Sequence, residues 1–289
     1  MLKTLITSRD PKGLHAVGLF EAVYNKSKLD DARAQRLNER GGELQDGIAK
    51  LITELSASNQ FADEEVCSNR TYPKEYKGPK PIADQIKAIA KIFNLNPSQT
   101  LEFAKSLSEL PDGAEGWFAI PRWQSVAKTY NEAVQKVLDL IKRQRKGNFY
   151  NYRGGEIGET YLRQHERTAK KLQMLGDQQT GFDILVVAAQ FGFRHRGRSV
   201  RRTHEVFMAN EFGLGAFKAG CMLLTHPERF VSYDDLWIDC AGNEYAPDAA
   251  GDFHDAPCFR FRVGGVLFGT RWVGLTNARY GSASGFLQQ

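Results

Sequence analysis

The sequence predicts an α+β fold in which an α-helix-rich N-terminal two-thirds is followed by a mixed C-terminal part with a short β-sheet or hairpin. Two observations lead to this prediction. Apolar residues recur at helical spacing through most of the first two-thirds, whereas the last 60 residues contain runs in which apolar and polar side chains alternate. The 289 residues are 42% hydrophobic, which is enough apolar material for a core.

The N-terminal elements are predicted as helices. Residues 1–62 contain two candidate helices, and Gly41 and Gly42 weaken the second. A third helix follows in "PIADQIKAIAKIFNL", where three isoleucines and Phe93 fall on one stripe. Pro97 is suited to the first turn of a fourth helix. The clearest helix lies in "WQSVAKTYNEAVQKVLDLIKRQRKG", which has one continuous apolar face.

The later elements mix helix and strand. The run "GWFAIPRW" is predicted as part of a turn-rich connection, and "FDILVVAA" as a buried strand. Helices are predicted over about residues 159–175, 199–211 and 215–224. The run "DLWIDC" is predicted as a strand, and "CFRFRVGGVLFGTRWV" as a hairpin that turns at Gly264 and Gly265.

The helical pattern breaks between residues 62 and 81, which hold three prolines and a glycine without any helical period. We therefore predict a helical N-terminal region over residues 1–62 and a linker or long surface loop over residues 63–80. The main α+β domain is predicted over residues 81–289. It has a basic centre at 122–204 and an acidic, β-containing part at 205–289.

Several function classes are excluded or disfavoured by the sequence. No apolar run is long enough for a membrane span, and the N-terminus does not read as a secretory leader, so a cytoplasmic protein is expected. The four cysteines form no CxxC pair, which favours buried thiols over a zinc site. No phosphate-binding loop, GxSxG or HExxH occurs. A binding protein without a cofactor is therefore favoured over an enzyme.

Positive charge is concentrated in the middle of the chain. The net charge is −1 over residues 1–121, +10 over 122–204 and −4 over 205–289. The densest part is the arginine-rich stretch, residues 194–204, "RHRGRSVRRTH", which holds five arginines. Cations at the start of a helix oppose its dipole, so a bound phosphate or a partner's carboxylates would offset that cost.

Three segments of the basic centre suit a polyanion. The end of the clearest helix carries "KRQRK", the next loop "NFYNYRGG" sets aromatic rings beside cations, and the arginine-rich stretch follows. Rings can stack on bases while cations contact the backbone. The residues predicted to bind nucleic acid are Arg194, Arg196, Arg198, Arg201, Arg202, Lys142, Arg143, Arg145, Lys146, Phe149, Tyr150, Tyr152 and Arg153.

Each segment also has a structural interpretation. Cations at a helix C-terminus stabilise the helix dipole. The aromatic side chains could dock the loop on the core, and the arginines could form a solvated or salt-bridged face. The sequence favours RNA or single-stranded DNA without strong sequence preference, and an acidic protein surface is the alternative partner. No membrane partner is expected.

A second hypothesis places a divalent metal, Mg²⁺ or Mn²⁺, in the acidic C-terminal part. On a strand "DDLWIDC", Asp235 and Asp239 would face the same side, and His226 and Glu244 could complete a hydrolase or nuclease site. No spacing here matches a defined metal motif.

Overall fold

The computed structural model describes residues 7–56 and 59–288, and it forms two compact units, Met1–Leu55 and Ser56–Gln289. Residues 1–6, on which the expectation of no secretory leader rests, lie outside the described part. The predicted boundaries at residues 62 and 80 stay predictions. Among the described residues, no helix is both long and apolar enough to cross a membrane.

The first unit is helical. Its helices are α1 (Pro11–Lys26), α2 (Asp31–Glu39) and α3 (Gly41–Leu55). Helix α2 begins where the Asp30 carboxylate accepts the backbone N–H of Arg33, which satisfies one of the free donors of its first turn.

The second unit mixes helices and strands along its whole length. Its helices are α4 (Ile82–Phe93), α5 (Ser98–Phe103), α6 (Tyr130–Gln144), α7 (Glu166–Gln178), α8 (Val200–Val206) and α9 (Ala216–Thr225). Its strands are β1 (Gly116–Pro121), β2 (Phe149–Asn151), β3 (Leu162–Gln164), β4 (Ile184–Gln190), β5 (Glu211–Gly213), β6 (Trp237–Asp239), β7 (Asn243–Tyr245), β8 (Asp255–Arg262), β9 (Gly265–Trp272), β10 (Tyr280–Ser282) and β11 (Ser284–Phe286).

A four-stranded sheet has the order β1-β4-β11-β5, and every described pair in it is antiparallel. Every residue of β4 is buried, as expected for a central strand covered on both faces. Strand β1 pairs with β4 along its full length, from Gly116 opposite Ala189 to Pro121 opposite Ile184.

A seven-stranded sheet contains β10, β6, β8, β7 and β3, with β9 paired to β8 and β2 paired to β9. The pair β8–β9 is a hairpin in register from Asp255 opposite Trp272 to Arg262 opposite Gly265. Val263 and Gly264 at its tip both have positive φ, which a two-residue hairpin turn requires. Phe259 and Phe268 lie on the face of this sheet that points into the core.

The core lies around α6 and α9. Helix α6 buries one stripe, and every residue of α9 is buried. Gly220 lets the two helices approach closely, because a Cβ at this position would lie 2.4 Å from a methyl of Val137 and 3.6 Å from the ring of Phe259. Helix α9 therefore packs against both α6 and the seven-stranded sheet, and it also contacts β1.

The predicted fold class is wrong in where it places β structure. The sequence predicts one short sheet or hairpin after a helical two-thirds, whereas the structure has two multi-stranded sheets that draw strands from residue 116 onward. The run "GWFAIPRW", predicted as a connection, supplies strand β1. Most of the missed strands have three residues, which is too short to show an alternating pattern.

The segment over residues 63–80 holds an isolated bridge, Glu65 with Arg198, and no regular helix. Hydrogen bonds connect it to other parts of the second unit. Tyr72 donates its hydroxyl hydrogen to Glu115, and the backbone N–H of Lys80 donates to His226 at 2.9 Å. Its carboxylates Glu64 and Glu65 form ion pairs with arginines of the arginine-rich stretch.

Candidate nucleic-acid interface

The arginine-rich stretch follows β4, passes through a single 3₁₀ turn at residues 193–195 and enters α8. The Ser199 hydroxyl caps α8 by accepting the backbone N–H of Arg202 at 3.0 Å. The expected anion at this helix start is supplied from within the chain. The carboxylate of Glu64 accepts hydrogen bonds from the Ser199 hydroxyl at 2.6 Å and from Arg201 Nε at 2.8 Å.

Glu65 pairs with two more arginines. Its carboxylate lies 3.2 Å from Arg198 Nε and 2.5 Å from Arg202 Nε. Arg202 also contacts Glu205 at 3.3 Å. The side chain of Arg202 is 14% exposed, so little of this guanidinium is left to meet a phosphate.

The remaining two arginines are also engaged. Arg194 Nε lies 3.4 Å from the buried carboxylate of Glu211. That carboxylate accepts the Nε2–H of His195 at 2.7 Å. The guanidinium of Arg196 stacks over the Phe193 ring at 4.1 Å. The structure therefore agrees with the salt-bridged interpretation of the stretch, because four of its five arginines contact carboxylates of the same chain.

The cations at the end of α6 differ from those of the arginine-rich stretch in their surroundings. Backbone hydrogen bonds from Gly147 to the Lys142 carbonyl and from Lys146 to the Arg143 carbonyl close the last turn. The side chains of Lys142, Arg143 and Lys146 are exposed. Among the described side chains of residues 59–288, no carboxylate forms an ion pair with any of these three cations. They are free to meet an external anion.

Two exposed rings follow these cations in the chain, Tyr150 on strand β2 and Tyr152 just after its end. Tyr150 is 68% exposed and Tyr152 is 58% exposed, and their ring centroids lie 6.0 Å apart. Phe149 between the helix and these rings is 6% exposed and packs in the core. The prediction that Phe149 stacks on a base is therefore corrected, because an alternating strand turns it away from the tyrosines.

Two arginines that the sequence analysis left out complete the patch. Tyr150 lies opposite Leu267 on β9, and Leu267 lies opposite Arg260 on β8, so the three share one face of the sheet. The Arg260 guanidinium lies 5.6 Å from the centre of the Tyr152 ring. Arg262 follows on the same face at the hairpin end and is exposed. The alternation of phenylalanine and arginine in "CFRFR" is the sequence signal that could have revealed them.

We call this set the outer-face patch. It comprises Lys142, Arg143, Lys146, Tyr150, Tyr152, Arg260 and Arg262. The hairpin end of β8–β9 meets the end of α6 directly, because the backbone N–H of Val266 donates to the Asn148 carbonyl at 3.1 Å. The end of α6, the hairpin end and strand β2 therefore adjoin one another.

Two other predicted binding residues have internal roles. Arg145 donates to the Phe230 carbonyl at 3.0 Å and to the Pro227 carbonyl, and burial lowers the pKa of its guanidinium. Arg153 donates to the Thr270 hydroxyl at 2.7 Å and pairs with Glu156. Both arginines therefore stabilise the fold through hydrogen bonds within the chain.

The arginine-rich stretch and the outer-face patch are separate. Arg196 bridges to Gly281 on β10, at one edge of the seven-stranded sheet, whereas Tyr150 lies on β2 at another edge. Strands β6, β8 and β9 lie between them, so the two edges are about 19 Å apart at about 4.8 Å per strand. The two segments therefore attach to different edges of the sheet.

The residues predicted for a metal site are not brought together. Strand β6 contains Asp239 but not Asp235, which instead caps a turn by accepting the backbone N–H groups of Val231 and Ser232. Asp239 pairs with Arg271 at 2.9 Å, and burial raises the pKa of its carboxyl to about 6.

The other two residues of that set are also engaged. Glu244 pairs with Arg163 at 2.7 Å. His226 is fully buried and accepts the Lys80 N–H, and burial lowers the pKa of its imidazole to about 4. Across the part of the chain that the structure describes, no group of three or more His, Cys, Asp or Glu residues is arranged to hold a metal ion.

Comparison of the chain with protein-family models, with curated proteins and with solved structures finds no match in any of the three.

Proposed function

We propose that the protein binds single-stranded nucleic acid, RNA or DNA, in the cytoplasm through the outer-face patch. One observation carries this proposal: Tyr150 and Tyr152 stand exposed side by side, with the Arg260 guanidinium 5.6 Å from the Tyr152 ring, and they follow in the chain three exposed cations for which no carboxylate partner is described. Exposed rings offer stacking surfaces to any base, and unpaired cations attract the phosphate backbone. The described cysteines are free thiols, which favours a reducing compartment.

The chemistry of the patch favours a flexible single strand over a duplex. Bases in a duplex are stacked on each other, so they cannot reach rings on a sheet face. The patch includes no helix placed in a groove and no base-reading motif, so little sequence preference is expected. We assign the arginine-rich stretch no part in this binding, because four of its five guanidinium groups pair with Glu64, Glu65 or Glu211.

The test is fluorescence anisotropy with a labelled 12-nucleotide oligouridine and with a labelled duplex of the same length. We expect the single strand to bind more tightly, and its affinity to fall as salt rises. The variant Tyr150→Ala/Tyr152→Ala removes both rings. We expect it to weaken binding by about 1–3 kcal/mol for each base that stacks on a ring.

A second variant, Lys142→Gln/Arg143→Gln/Lys146→Gln, tests the cations. It should lower the steepness of the logarithmic salt dependence by about 0.7 for each phosphate contact that is lost. The matched control is Lys87→Gln/Lys91→Gln, which removes two exposed lysines of α4. The control should bind like the unaltered protein.

Three results would count against the proposal. Absence of binding at low salt would exclude it. Equal losses in the α4 control would show that only the net charge matters. If the cation variant loses binding to polyglutamate while the tyrosine variant binds every polyanion normally, the partner is an acidic protein surface instead.

A further inference from the structure

Lys218 is a buried cation in an apolar helix. It is 5% exposed and lies in the first turn of α9, every residue of which is buried. Lysine is almost never fully buried unless it is paired. Its position also opposes the helix dipole, whose positive end is at the first turn. Two independent costs therefore fall on this one ammonium group.

No described group offsets those costs. Over residues 7–56 and 59–288, no hydrogen-bond acceptor or carboxylate contacts the Lys218 ammonium. Its nearest favourable contacts are the rings of Phe217 at 5.8 Å and Tyr130 at 5.9 Å, at the outer limit of a cation–π interaction. The Asn243 side chain, which could accept a hydrogen bond, instead accepts the Ala216 N–H at 2.6 Å and the Tyr130 hydroxyl at 2.9 Å.

Lys218 lines a cavity of about 220 Å³. At about 30 Å³ per water molecule, this space corresponds to about seven waters and therefore suits a small organic molecule. The cavity has a mixed lining, with an aromatic ring and two leucines on its apolar part and amide groups on its polar part. Its lining residues include Trp123, Leu172, Leu185, Gln124, Gln164 and Gln173.

The other cation of the lining is not available to a ligand. Arg122 donates to the backbone carbonyls of Phe182, Gly176 and Gln179 at 2.6–2.7 Å. Gln164 also lines a wider groove that contains Lys170 and Lys171. In that groove Lys170 pairs with Glu166 at 2.6 Å and Arg163 pairs with Glu244 at 2.7 Å, so these two cations are already neutralised.

We propose that this cavity binds a small monocarboxylate with a flat apolar body. The carboxylate pairs with the Lys218 ammonium, and the side-chain amides of Gln124 and Gln164 donate to its oxygens. The apolar body lies against Trp123 and Leu172. This site is separate from the outer-face patch and does not depend on nucleic-acid binding.

The protonation of Lys218 supports this assignment. Burial lowers the pKa of its ammonium to about 8, so the group stays mostly charged at neutral pH and loses its proton just above it. The groups that face it are the Cys221 thiol, the Tyr130 hydroxyl and Arg122. Burial raises the pKa of both Cys221 and Tyr130, so they stay neutral across this range. Binding of a carboxylate should therefore weaken as the pH rises above 8.

The experiment is isothermal titration with benzoate, with inorganic phosphate as a second probe. We expect saturable binding of benzoate at pH 7 and a fall of about tenfold per pH unit well above pH 8. Lys218→Met should reduce the affinity for benzoate at least tenfold. The matched control is Lys171→Met, which removes a half-buried lysine beside the cavity and should change the affinity less than twofold.

The melting temperature of ligand-free Lys218→Met separates a binding role from a structural one. Removal of an uncompensated buried charge should raise it. A lower melting temperature would show that the lysine serves stability and would overturn the proposal. So would the absence of saturable benzoate binding, equal binding by Lys218→Met, or binding of phosphate in place of benzoate.

Discussion

Two basic regions of this protein have opposite surroundings. The arginine-rich stretch has the higher density of positive charge, yet four of its five arginines meet carboxylates of the same chain. The end of α6 has fewer cations, but Lys142, Arg143 and Lys146 have no such partner among the described side chains and are followed in the chain by two exposed tyrosines. The comparison teaches that the availability of charge, and not its density along the sequence, marks a binding surface.

The difference arises from the placement of acidic residues. Glu64 and Glu65 precede the arginines by more than 130 residues and come from a segment that looks like a linker. Glu211 lies on β5 and is fully buried. A buried carboxylate needs charged or hydrogen-bonding partners, and Arg194 and His195 provide them. The arginine-rich stretch is therefore part of the internal architecture.

The largest expected effect is the loss of protein stability when Glu211, the buried carboxylate that holds the arginine-rich stretch, is removed. Glu211→Ala removes the acceptor of His195 and Ser284 and the partner of Arg194. We expect the free energy of unfolding to fall by about 2–5 kcal/mol, because buried donors lose their acceptor. Urea denaturation measures this loss. The control is Glu159→Ala, at an exposed glutamate, which should cost less than about 0.5 kcal/mol. Equal losses in both variants would contradict the comparison.

A smaller effect is expected on the free energy of unfolding when the pH is lowered. Burial, reinforced by the neighbouring His165 ring at 4.1 Å, lowers the pKa of His204 to about 3. The unfolded chain binds a proton here as the pH falls below about 6.5, and the folded chain does not, so stability falls between about pH 6.5 and 3.

His204→Phe keeps a ring on His165 and removes this titration. The dependence of unfolding free energy on pH should become shallower by up to about 1.4 kcal/mol per pH unit. Urea denaturation at pH 7, 6 and 5 measures it. His15→Phe, at an exposed histidine of α1, is the matched histidine-to-phenylalanine control. An unchanged slope in His204→Phe would show that this histidine is not held neutral.

The smallest effect is expected at the end of α6. Lys142→Gln/Arg143→Gln/Lys146→Gln should change the free energy of unfolding by less than about 1 kcal/mol at 0.3 M salt, because exposed cations interact weakly with a screened helix dipole. Thermal and urea denaturation measure the change. A loss of about 2 kcal/mol or more would mean that these cations serve the helix, as the structural interpretation of the sequence holds.

The sequence predicts the elements with strong periodicity. The apolar stripe of α6 and the continuous apolar run of β4 were both readable, and the structure confirms a helix over Tyr130–Gln144 and a buried strand over Ile184–Gln190. The short strands of the two sheets could not be predicted in the same way. Strands β3, β5, β7, β10 and β11 have three residues each, and their pairing depends on partners up to 100 residues away.

The candidate site was predictable in part. Tyr150, Tyr152 and the lysines of α6 belong to one sequence segment, so local composition indicates them. Arg260 joins them only because β8 and β9 pair in a particular register. Lys218 was missed although it stands alone in an apolar helix, a pattern that marks a buried charge.

The order of the four-stranded sheet has a consequence for the synthesis of the chain. Among the described strands, β5 pairs with β11 alone, and β11 inserts between β4 and β5. A ribosome makes β5 about 70 residues before β11, so β5 emerges with both edges open and its partner not yet translated. Sequence-distant pairing of this kind slows folding. Completion of this sheet therefore waits for residues 284–286, and a nascent chain that stops short of them exposes β4 and β5 to other chains and to chaperones.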